Sequence, residues 1–512
     1  MSRAFAALAL AGLLAGCAVG PNYHRPGAAP AMTGAFVDPA ASTPTLTTQG
    51  AVPDAWWRLF DDPALDRLVT DALAHNTDVR VAVANVAQAR GFLSEARAGR
   101  LPSTTASGGV QRERLGAATA GFGTSTLSTG SGLGGTGTTT GTTTGTTTTT
   151  GAGSTPDHYD FTLYTAGFDA QYEVDLFGRV SRSIEAARGD TEAAEADLDA
   201  ARVAVAAETA RNYAAACGYA QQEAVARETA ALQDRTLDLT QRLFDAGRGT
   251  RRDIDQARVL AENARAQAPA FAAERRAALY ALAALTGRPP AEIDGDAARC
   301  MAPPGVTTPL PIGDGAALLA RRPDVRAAER RLAAETARIG IATAALFPSI
   351  TLGGSANLAA TRAGDLTKGS AFSFAVGPLI TWNFPNIAVA RARIRQARAS
   401  SAAALARFDG AVLTALKESE QALARYQGSA ETLDARIRAA EAAEDAARLS
   451  RTRFDAGRDS FLQLLDSERD RAAARASLAQ SRADVAAAQV ALFNALGGGW
   501  DVSRADAVPA AH

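Results

Sequence analysis

Two long stretches of the chain carry a helical pattern of apolar and polar residues. They span about 179–243 and about 387–454, without proline and with little glycine. In the second stretch, steps of four and three residues alternate along a row of mostly apolar positions, namely Val412, Leu416, Ser419, Leu423, Tyr426, Ala430, Leu433, Ile437 and Ala440. This heptad spacing predicts a helix that packs along one narrow face. At 1.5 Å per residue, each helix would be on the order of 100 Å long, which exceeds the size of a globular domain.

The two long helices end at the same short motif. FDAGR stands at 244–248 and again at 454–458, and its glycine can adopt the positive φ that terminates a helix. A helical pattern then returns over about 251–285 in the first case and about 459–496 in the second. The sequence therefore predicts two helical hairpins. Taken alone, they would also fit a structural coiled coil.

Four shorter segments change the pattern to a period of two, which is typical of strands. They are residues 103–112, 161–174, 349–358 and 371–384. Each approaches the length of about ten residues that a tilted transmembrane strand requires. Because lipid does not tolerate an open sheet edge and known barrels begin at about eight strands, such a barrel would have to be shared between subunits. The alternative is a small soluble sandwich with one buried face.

An internal repeat relates the two halves of the chain. The FDAGR segments 244–258 and 454–469 are 210 positions apart, whereas NTDVRVA (76–82) matches RPDVRAA (322–328) at an offset of 246. The first half therefore holds about 36 additional residues, and most of them lie in the tract 123–155, which is almost pure Gly, Thr and Ser. Such a composition buries too little apolar surface to offset its ordering entropy, so an exposed flexible loop is predicted.

The N-terminus carries an export signal. Arg3 precedes the apolar run 4–14, which is too short to span a bilayer. The following Leu-Ala-Gly-Cys, which ends at Cys17, resembles a bacterial lipobox, in which the cysteine is acylated and becomes the mature N-terminus. Because Ala18 stands where an inner-membrane lipoprotein usually carries Asp, the outer membrane is the expected location. An ordinary signal peptide with an incidental cysteine is the alternative.

Composition narrows the functional classes. The 512 residues include 53 basic and 54 acidic side chains, a balance that favours neither a nucleic-acid partner nor a polybasic membrane patch. No G-x-S-x-G, H-E-x-x-H, Walker A or paired-cysteine motif occurs and the four histidines are scattered, so we expect no enzyme, no catalytic residue, no metal site and no cofactor. Cys217 and Cys300 are compatible with a disulfide in an oxidising compartment, but we expect two separate thiols.

Three motifs carry a resemblance that spans nearly the whole chain. They are CAVGPNYHRP at 17–26, DAWWRLFDDPALDRLVTDALAHNTDV at 54–79 and LGGGW at 496–500. Together with the repeat, they resemble the TolC-type outer-membrane efflux channels, in the lipoprotein branch that includes OprM and the NodT-like factors. The Gly/Thr-rich tract departs from this pattern and would lengthen one extracellular loop.

The resemblance implies an α+β membrane protein built from two internal repeats. Three chains would share a 12-stranded transmembrane β-barrel, with four strands from each chain, continued by a long periplasmic helical α-barrel. This homotrimer would lie in the cell outer membrane, anchored by its lipid and extending into the periplasm. It would be a passive duct for small molecules or drugs. An inner-membrane pump, of the resistance-nodulation-division type, would supply them through a periplasmic membrane-fusion adaptor. A type I secretion outlet and a non-conducting periplasmic coiled-coil lipoprotein are the alternatives.

The resemblance also assigns a periplasmic gate. FLQLLD at 461–466 is similar to the stretch whose leucine and aspartate constrict the closed channel, which implies that Leu462 and Asp466 form rings in the trimer. The two residues are one helical turn apart and therefore share a face. Arg469, about one turn further on, would tie neighbouring helices together. An ordinary solvated helix surface is the alternative for Asp466.

The resemblance further implies that the two tips contact the adaptor. Gly247 and Thr250 in the first tip have the same spacing as Gly457 and Ser460 in the second. A glycine that ends one helix and a hydroxyl residue that begins the next would also suffice as purely structural caps. Both roles are compatible with each other.

The predicted organisation follows the repeat, with a signal peptide first and an equatorial tail last. The segments are 1–16 signal peptide, 17–60 lipidated N-terminal and equatorial segment, 61–101 helices of repeat 1, 102–177 strands of repeat 1 with the loop 123–155, 178–287 helical hairpin of repeat 1, 288–316 equatorial linker, 317–347 helices of repeat 2, 348–385 strands of repeat 2, 386–497 helical hairpin of repeat 2 and 498–512 C-terminal tail.

Overall fold

The computed structural model describes residues 18–27, 30–116, 158–382, 384 and 387–498. Within these residues the chain forms two compact units. The first unit contains residues from 97–180 and 345–387 and is built on a sheet. The second unit contains residues 18–96, 181–344 and the chain from 388 onward, and it is mainly helical. The predicted lipidation site Cys17, the loop 123–155 and the tail beyond residue 498 lie outside the described residues.

The sheet of the first unit is antiparallel and has four strands in the described chain. They are β1 (Ser103–Gly116), β2 (His158–Val174), β3 (Ser349–Ala360) and β4 (Phe372–Thr381), in the order β1-β2-β3-β4. The register places Ser107 opposite Gly167 and Gly167 opposite Asn357. Repeat 1 supplies the first pair of strands and repeat 2 the second, so the central pairing of β2 with β3 joins the two repeats.

Both faces of β4 are exposed within this chain. Its exposed large apolar side chains are Phe372, Phe374, Val376, Leu379 and Ile380. Among the described strands, β4 pairs only with β3, and β1 pairs only with β2. A sheet with two unpaired edges and uncovered aromatic residues is incomplete as a single chain, because such edges and surfaces favour further association.

The second unit is dominated by long helices. The helices longer than ten residues in the described chain are α1 (Pro63–His75), α2 (Thr77–Ala98), α3 (Arg179–Asp245), α4 (Arg251–Leu285), α5 (Pro323–Ala344), α6 (Ile387–Asp455) and α7 (Phe461–Ala495). Shorter helical segments are Pro30–Thr33, Gly295–Arg299 and Gly315–Arg321, and 3₁₀ turns occur at Pro39–Ser42, Trp56–Phe60, Pro290–Glu292, Ala363–Asp365 and Gly369–Ala371. Thr47–Thr48 and Leu310–Pro311 form a short parallel pair. None of the helices described here is long and apolar enough to cross a membrane.

The predicted heptad row of α6 is confirmed as its packed face. Val412, Ser419, Leu423, Tyr426 and Ala440 are buried, and the remaining positions of the row are partly buried. The row is largely alanine, leucine and valine because small and branched apolar side chains fill the narrow space between closely approaching helices. The predicted hairpins are likewise present as α3 with α4 and α6 with α7.

An ionic ladder joins α3 of the first repeat to α5 of the second. Asp190 accepts from Arg338 at 2.5 Å at one end of the ladder, and Asp199 accepts from Arg326 at 3.0 Å at the other. The helices are close next to Asp190, since a Cβ on Gly189 would lie 3.1 Å from the Arg330 carbonyl oxygen. A side chain at position 189 would require α5 to shift by a few tenths of an ångström.

Aromatic side chains from distant parts of the chain form the core of the second unit. Trp56, which is fully buried, stacks on Phe493 with ring centroids 5.0 Å apart. The linker 288–316 is fixed beside this core, because the Gln489 side chain accepts from Val306 N at 3.0 Å and donates to Val306 O at 2.8 Å. The W-W segment and the last helix, although far apart in sequence, therefore belong to one packed region.

The expectation of two separate thiols is wrong. Cys217 on α3 and Cys300 in the linker form a disulfide, with their Cα atoms 5.1 Å apart. The linker folds back onto α3, and this proximity has no signature in the sequence because 83 positions separate the two cysteines. The disulfide therefore fastens the linker to the fully buried Cys217 position of the long helix.

Candidate functional site at the helical tips

The two tips have the same backbone geometry. Gly247 and Gly457 have φ values of 72° and 69°, and an added Cβ would find no atom within 4 Å at either position. In the first tip Arg248 N donates to Leu243 O at 2.8 Å, and Arg458 N donates to the equivalent Arg453 O at the same distance. This arrangement satisfies carbonyl groups that the helix end leaves unpaired. The glycines thus end α3 and α6 and remain open to solvent.

Each return helix begins with a capping box. Thr250 accepts from Asp253 N at 3.3 Å, and the Asp253 carboxylate accepts from Thr250 N at 2.9 Å. Ser460 and Gln463 repeat the same reciprocal pair at 3.3 and 2.8 Å. Hydrogen bonds from the Thr250 hydroxyl and backbone N–H lower the pKa of Asp253. The caps fix the start of α4 and α7, so the turn is rigid on both sides of the glycine.

The predicted gate residues line one groove between α7 and α4. Leu462 is 49% exposed, and Asp466 and Arg469 are also exposed. The groove has a volume of about 820 Å³ and is closed on the α4 side by Arg252 and Val259 among others. The structure therefore brings the three predicted residues of α7 together on an open face.

The structure does not pair the gate residues with each other. Within the described chain, neither Asp466 nor Arg469 forms an ion pair or a side-chain hydrogen bond. A role of Arg469 in tying neighbouring helices together therefore stays a prediction. Their charges are free to meet another chain or a solute, because both side chains are exposed.

Sequence reasoning missed a buried ion network next to these residues. Glu468 is only 2% exposed, and its Oε1 accepts from Arg451 of α6 at 2.9 Å. Its second oxygen lies 2.5 Å from Arg471, which also approaches Glu444 of α6 at 3.5 Å. Arg475 extends the network to Glu228 of α3 at 2.6 Å. Heptad analysis gives no signal for it, because a glutamate on a long helix is ordinarily solvated.

A short N-terminal strap, residues 18–27, lies on α3 and α5. The guanidinium of the buried Arg182 donates to the carbonyl oxygens of Val19 and Gly20, each at 3.4 Å, and to Asn22 Oδ1 at 2.7 Å. The Tyr23 hydroxyl donates to Glu329 Oε1 at 3.1 Å. Burial, followed by the Glu329 carboxylate, raises the pKa of Tyr23 to about 12. These contacts hold the chain immediately after position 17 against α3 and α5.

An amphipathic sheet with open edges, two helical hairpins related by a repeat and two matching tips define a channel-type outer-membrane protein. Residues 68–288 and 316–498 match the sequence profile of the outer membrane efflux protein family. The chain belongs to this family.

Relatives and solved structures cover almost the whole chain. It is 30% identical to the outer membrane protein OprJ of Pseudomonas aeruginosa over 97% of this chain and 96% of OprJ. It is 29% identical to nodulation protein T of Rhizobium leguminosarum bv. trifolii, with 96% of both chains covered. The solved outer-membrane channel OprN has a TM-score of 0.81 and 34% identity, covering 94% of this chain and all of OprN. The predicted family, outer-membrane location and fold of a helical barrel with a β domain are confirmed.

Proposed function

We propose that this chain is the outer-membrane duct of a tripartite efflux system and acts as a homotrimer. The observation that carries the proposal is the four-stranded sheet with two unpaired edges and exposed aromatic residues on β4. Three such sheets joined edge to edge give a closed barrel of twelve strands, which leaves no edge in lipid. Cys17 carries the lipid anchor in this proposal.

The duct performs no chemistry and is gated at its periplasmic end. Leu462 forms an apolar constriction and Asp466 an acidic ring, because these residues lie on one exposed face of α7. Arg469 completes the gate and contacts the neighbouring chain. The tips Gly247, Thr250, Gly457 and Ser460 dock a membrane-fusion adaptor. The adaptor connects the duct to an inner-membrane pump of the resistance-nodulation-division type. The cargo is small organic molecules.

Planar-bilayer conductance tests this function, with the mass of the protein in detergent measured on the same sample. We expect trimers with small, flickering currents at rest. Replacing Leu462 and Asp466 together with Ala removes the constriction, so the mean conductance should rise several-fold. The matched control is Leu449→Ala, which removes another exposed leucine from α6 outside the tip groove.

Two outcomes would count against the proposal. Monomers or dimers that do not conduct even without Leu462 and Asp466 would favour a coiled-coil scaffold. If wild-type trimers and trimers of the double variant conduct equally, the protein is still a duct but Leu462 and Asp466 do not form its gate.

A further inference from the structure

A cavity between α3, α4 and α7 lies beside the tip groove and shares Arg469 with it. Its volume is about 220 Å³. Helix α3 contributes Gln222 and Gln233, helix α4 contributes Asn263 and Phe271, and helix α7 contributes Arg469. Three helices from both repeats thus border a space that is open to solvent on one side, where Asn263 and Arg469 are exposed.

The cavity wall contains one buried amide oxygen without a protein partner. Gln222 and Gln233 are each 5% exposed. Within the described chain the Gln233 Oε1 atom is fully enclosed and has no hydrogen-bond partner. A half turn of this terminal amide exchanges its oxygen and nitrogen at nearly constant shape. Because leaving a buried amide oxygen unpaired is unfavourable, a solute or water in the cavity would be stabilised by donating a hydrogen bond to Gln233.

The charged residue in the cavity wall determines whether an anion or a cation is favoured as a ligand. Arg469 is the only charged residue among those that line the cavity, all of which the structure describes. No carboxylate of the described chain pairs with it, so its guanidinium is available to an anion. A cation would find no opposite charge here. The wall is therefore a site for one negative charge with hydrogen-bonding groups around it.

The remaining wall residues indicate that the rest of the ligand is apolar. Val225, Leu260 and Phe271 contribute aliphatic and aromatic surface. At about 220 Å³ the cavity is smaller than the 300–1,000 Å³ that drug-sized ligands occupy. It suits a ligand of roughly ten non-hydrogen atoms.

We propose that this cavity binds a small organic carboxylate, with the carboxylate on Arg469, the ring or chain against Phe271 and Leu260, and the amides of Gln222 and Gln233 as additional partners. Arg469 also lines the tip groove next to Asp466. In the proposed gate Arg469 contacts the neighbouring chain, so an anion bound to its guanidinium weakens that contact and loosens the gate, a consequence that rests on the proposed function.

The test uses the full-length protein in detergent and 4-fluorobenzoate as the probe, observed by the broadening of its ¹⁹F resonance. We expect saturable binding that weakens at least tenfold in Arg469→Met and in Gln233→Leu. Ala473→Phe, which places a ring at the cavity wall without changing the charge, should abolish binding. The matched control is Arg252→Met, which removes a cation from the tip groove but not from the cavity wall.

Neutral and cationic probes complete the experiment. 4-Fluorobenzyl alcohol and 4-fluorobenzylamine should bind at least tenfold more weakly than the carboxylate. Absence of saturable binding, equal binding by Arg469→Met, or equal binding of the alcohol would overturn the site. Bilayer conductance with and without the probe is recorded separately. If the probe binds but conductance does not change, the site is not coupled to the gate. If the probe does not bind, the conductance test of the duct still stands on its own.

Discussion

Gly20 of the N-terminal strap lies so close to Gly340 of α5 that a Cβ on Gly20 would be 2.5 Å from the Gly340 Cα. Gly20 also has a φ of +100°, which other residues rarely adopt. Gly20→Ala should therefore detach the strap and raise the rate of chymotrypsin cleavage after Tyr23 several-fold. Gly27→Ala is the control, since nothing lies within 4 Å of its Cβ position. Equal cleavage of both variants would show that the strap is not held by this contact.

Glu468 should be the most sensitive charged position near the gate. Glu468→Gln removes the carboxylate between Arg451 and Arg471 and should lower the free energy of unfolding by about 3 kcal/mol, as for other buried pairs that lose one partner. Glu444→Gln changes a more exposed member of the same network and should cost less than about 1 kcal/mol. Denaturant unfolding followed by helical circular dichroism measures both. Equal losses would mean that burial of Glu468 is unimportant.

We expect the burial of Asp199 in the ionic ladder to make the stability of the fold depend on pH. Burial raises its pKa in spite of Arg326 and Arg202, so the folded state favours the protonated form more than the unfolded chain does. A raised folded pKa means that this carboxyl costs stability at neutral pH and that the cost disappears as the pH falls through the folded pKa. Asp199→Asn should therefore be at least as stable as the wild type at pH 7. Between neutral pH and about pH 4, the stability of the wild type should rise relative to that of the Asp199→Asn variant.

Thermal midpoints at matched scan rates across this pH range would check the prediction. A variant that is clearly less stable at pH 7 would show that the attraction of Asp199 to the arginines outweighs its burial.

The disulfide should stabilise the linker region. Replacing Cys217 and Cys300 together with Ser removes a cross-link that spans 83 positions, which the chain-entropy model values at about 4.6 kcal/mol. We expect a lower thermal midpoint. A reducing agent should lower the wild-type midpoint towards that of the double variant and leave the variant itself unchanged. An unchanged midpoint in the double variant would exclude a stabilising role.

Adaptor docking at the second tip can be separated from the structural role of its turn. Gly457→Ala introduces only the strain of a side chain at a positive φ, whereas Gly457→Trp adds bulk on the solvent side. We expect the tryptophan variant to bind the cognate adaptor at least tenfold more weakly than the alanine variant, with both forming trimers. Biolayer interferometry on purified proteins measures this. Equal affinities would remove Gly457 from the docking surface.

The sequence predicted the elements of this fold well because local signals define them. The FDAGR turns and their hydroxyl caps placed the end of α3 within two residues of Asp245 and the start of α4 at Arg251. The heptad row of α6 was correct because alanine and leucine positions in a long helix have one packed face. Period-two alternation placed β2 and β4 for the same local reason.

Tertiary features were not predictable in this way. Gln222 and Gln233 resemble solvent-facing residues of a coiled coil, and only the approach of α4 and α7 encloses them. The burial of Glu468 likewise depends on arginines of other helical segments. The repeat relates the two hairpins but does not reveal which charges meet across them. Contacts between elements, rather than the elements themselves, are therefore what the sequence left open.

The disulfide between α3 and the linker also constrains the order of events in biogenesis. Thiols of cytosolic chains are kept reduced, whereas disulfides form in the periplasm. Cys217 is fully buried in the finished core, so it must meet Cys300 before that core closes around it. A chain trapped in the cytosol would lack this cross-link. Oxidation of this pair thus belongs to a stage after export from the cytosol and before the core around Cys217 closes.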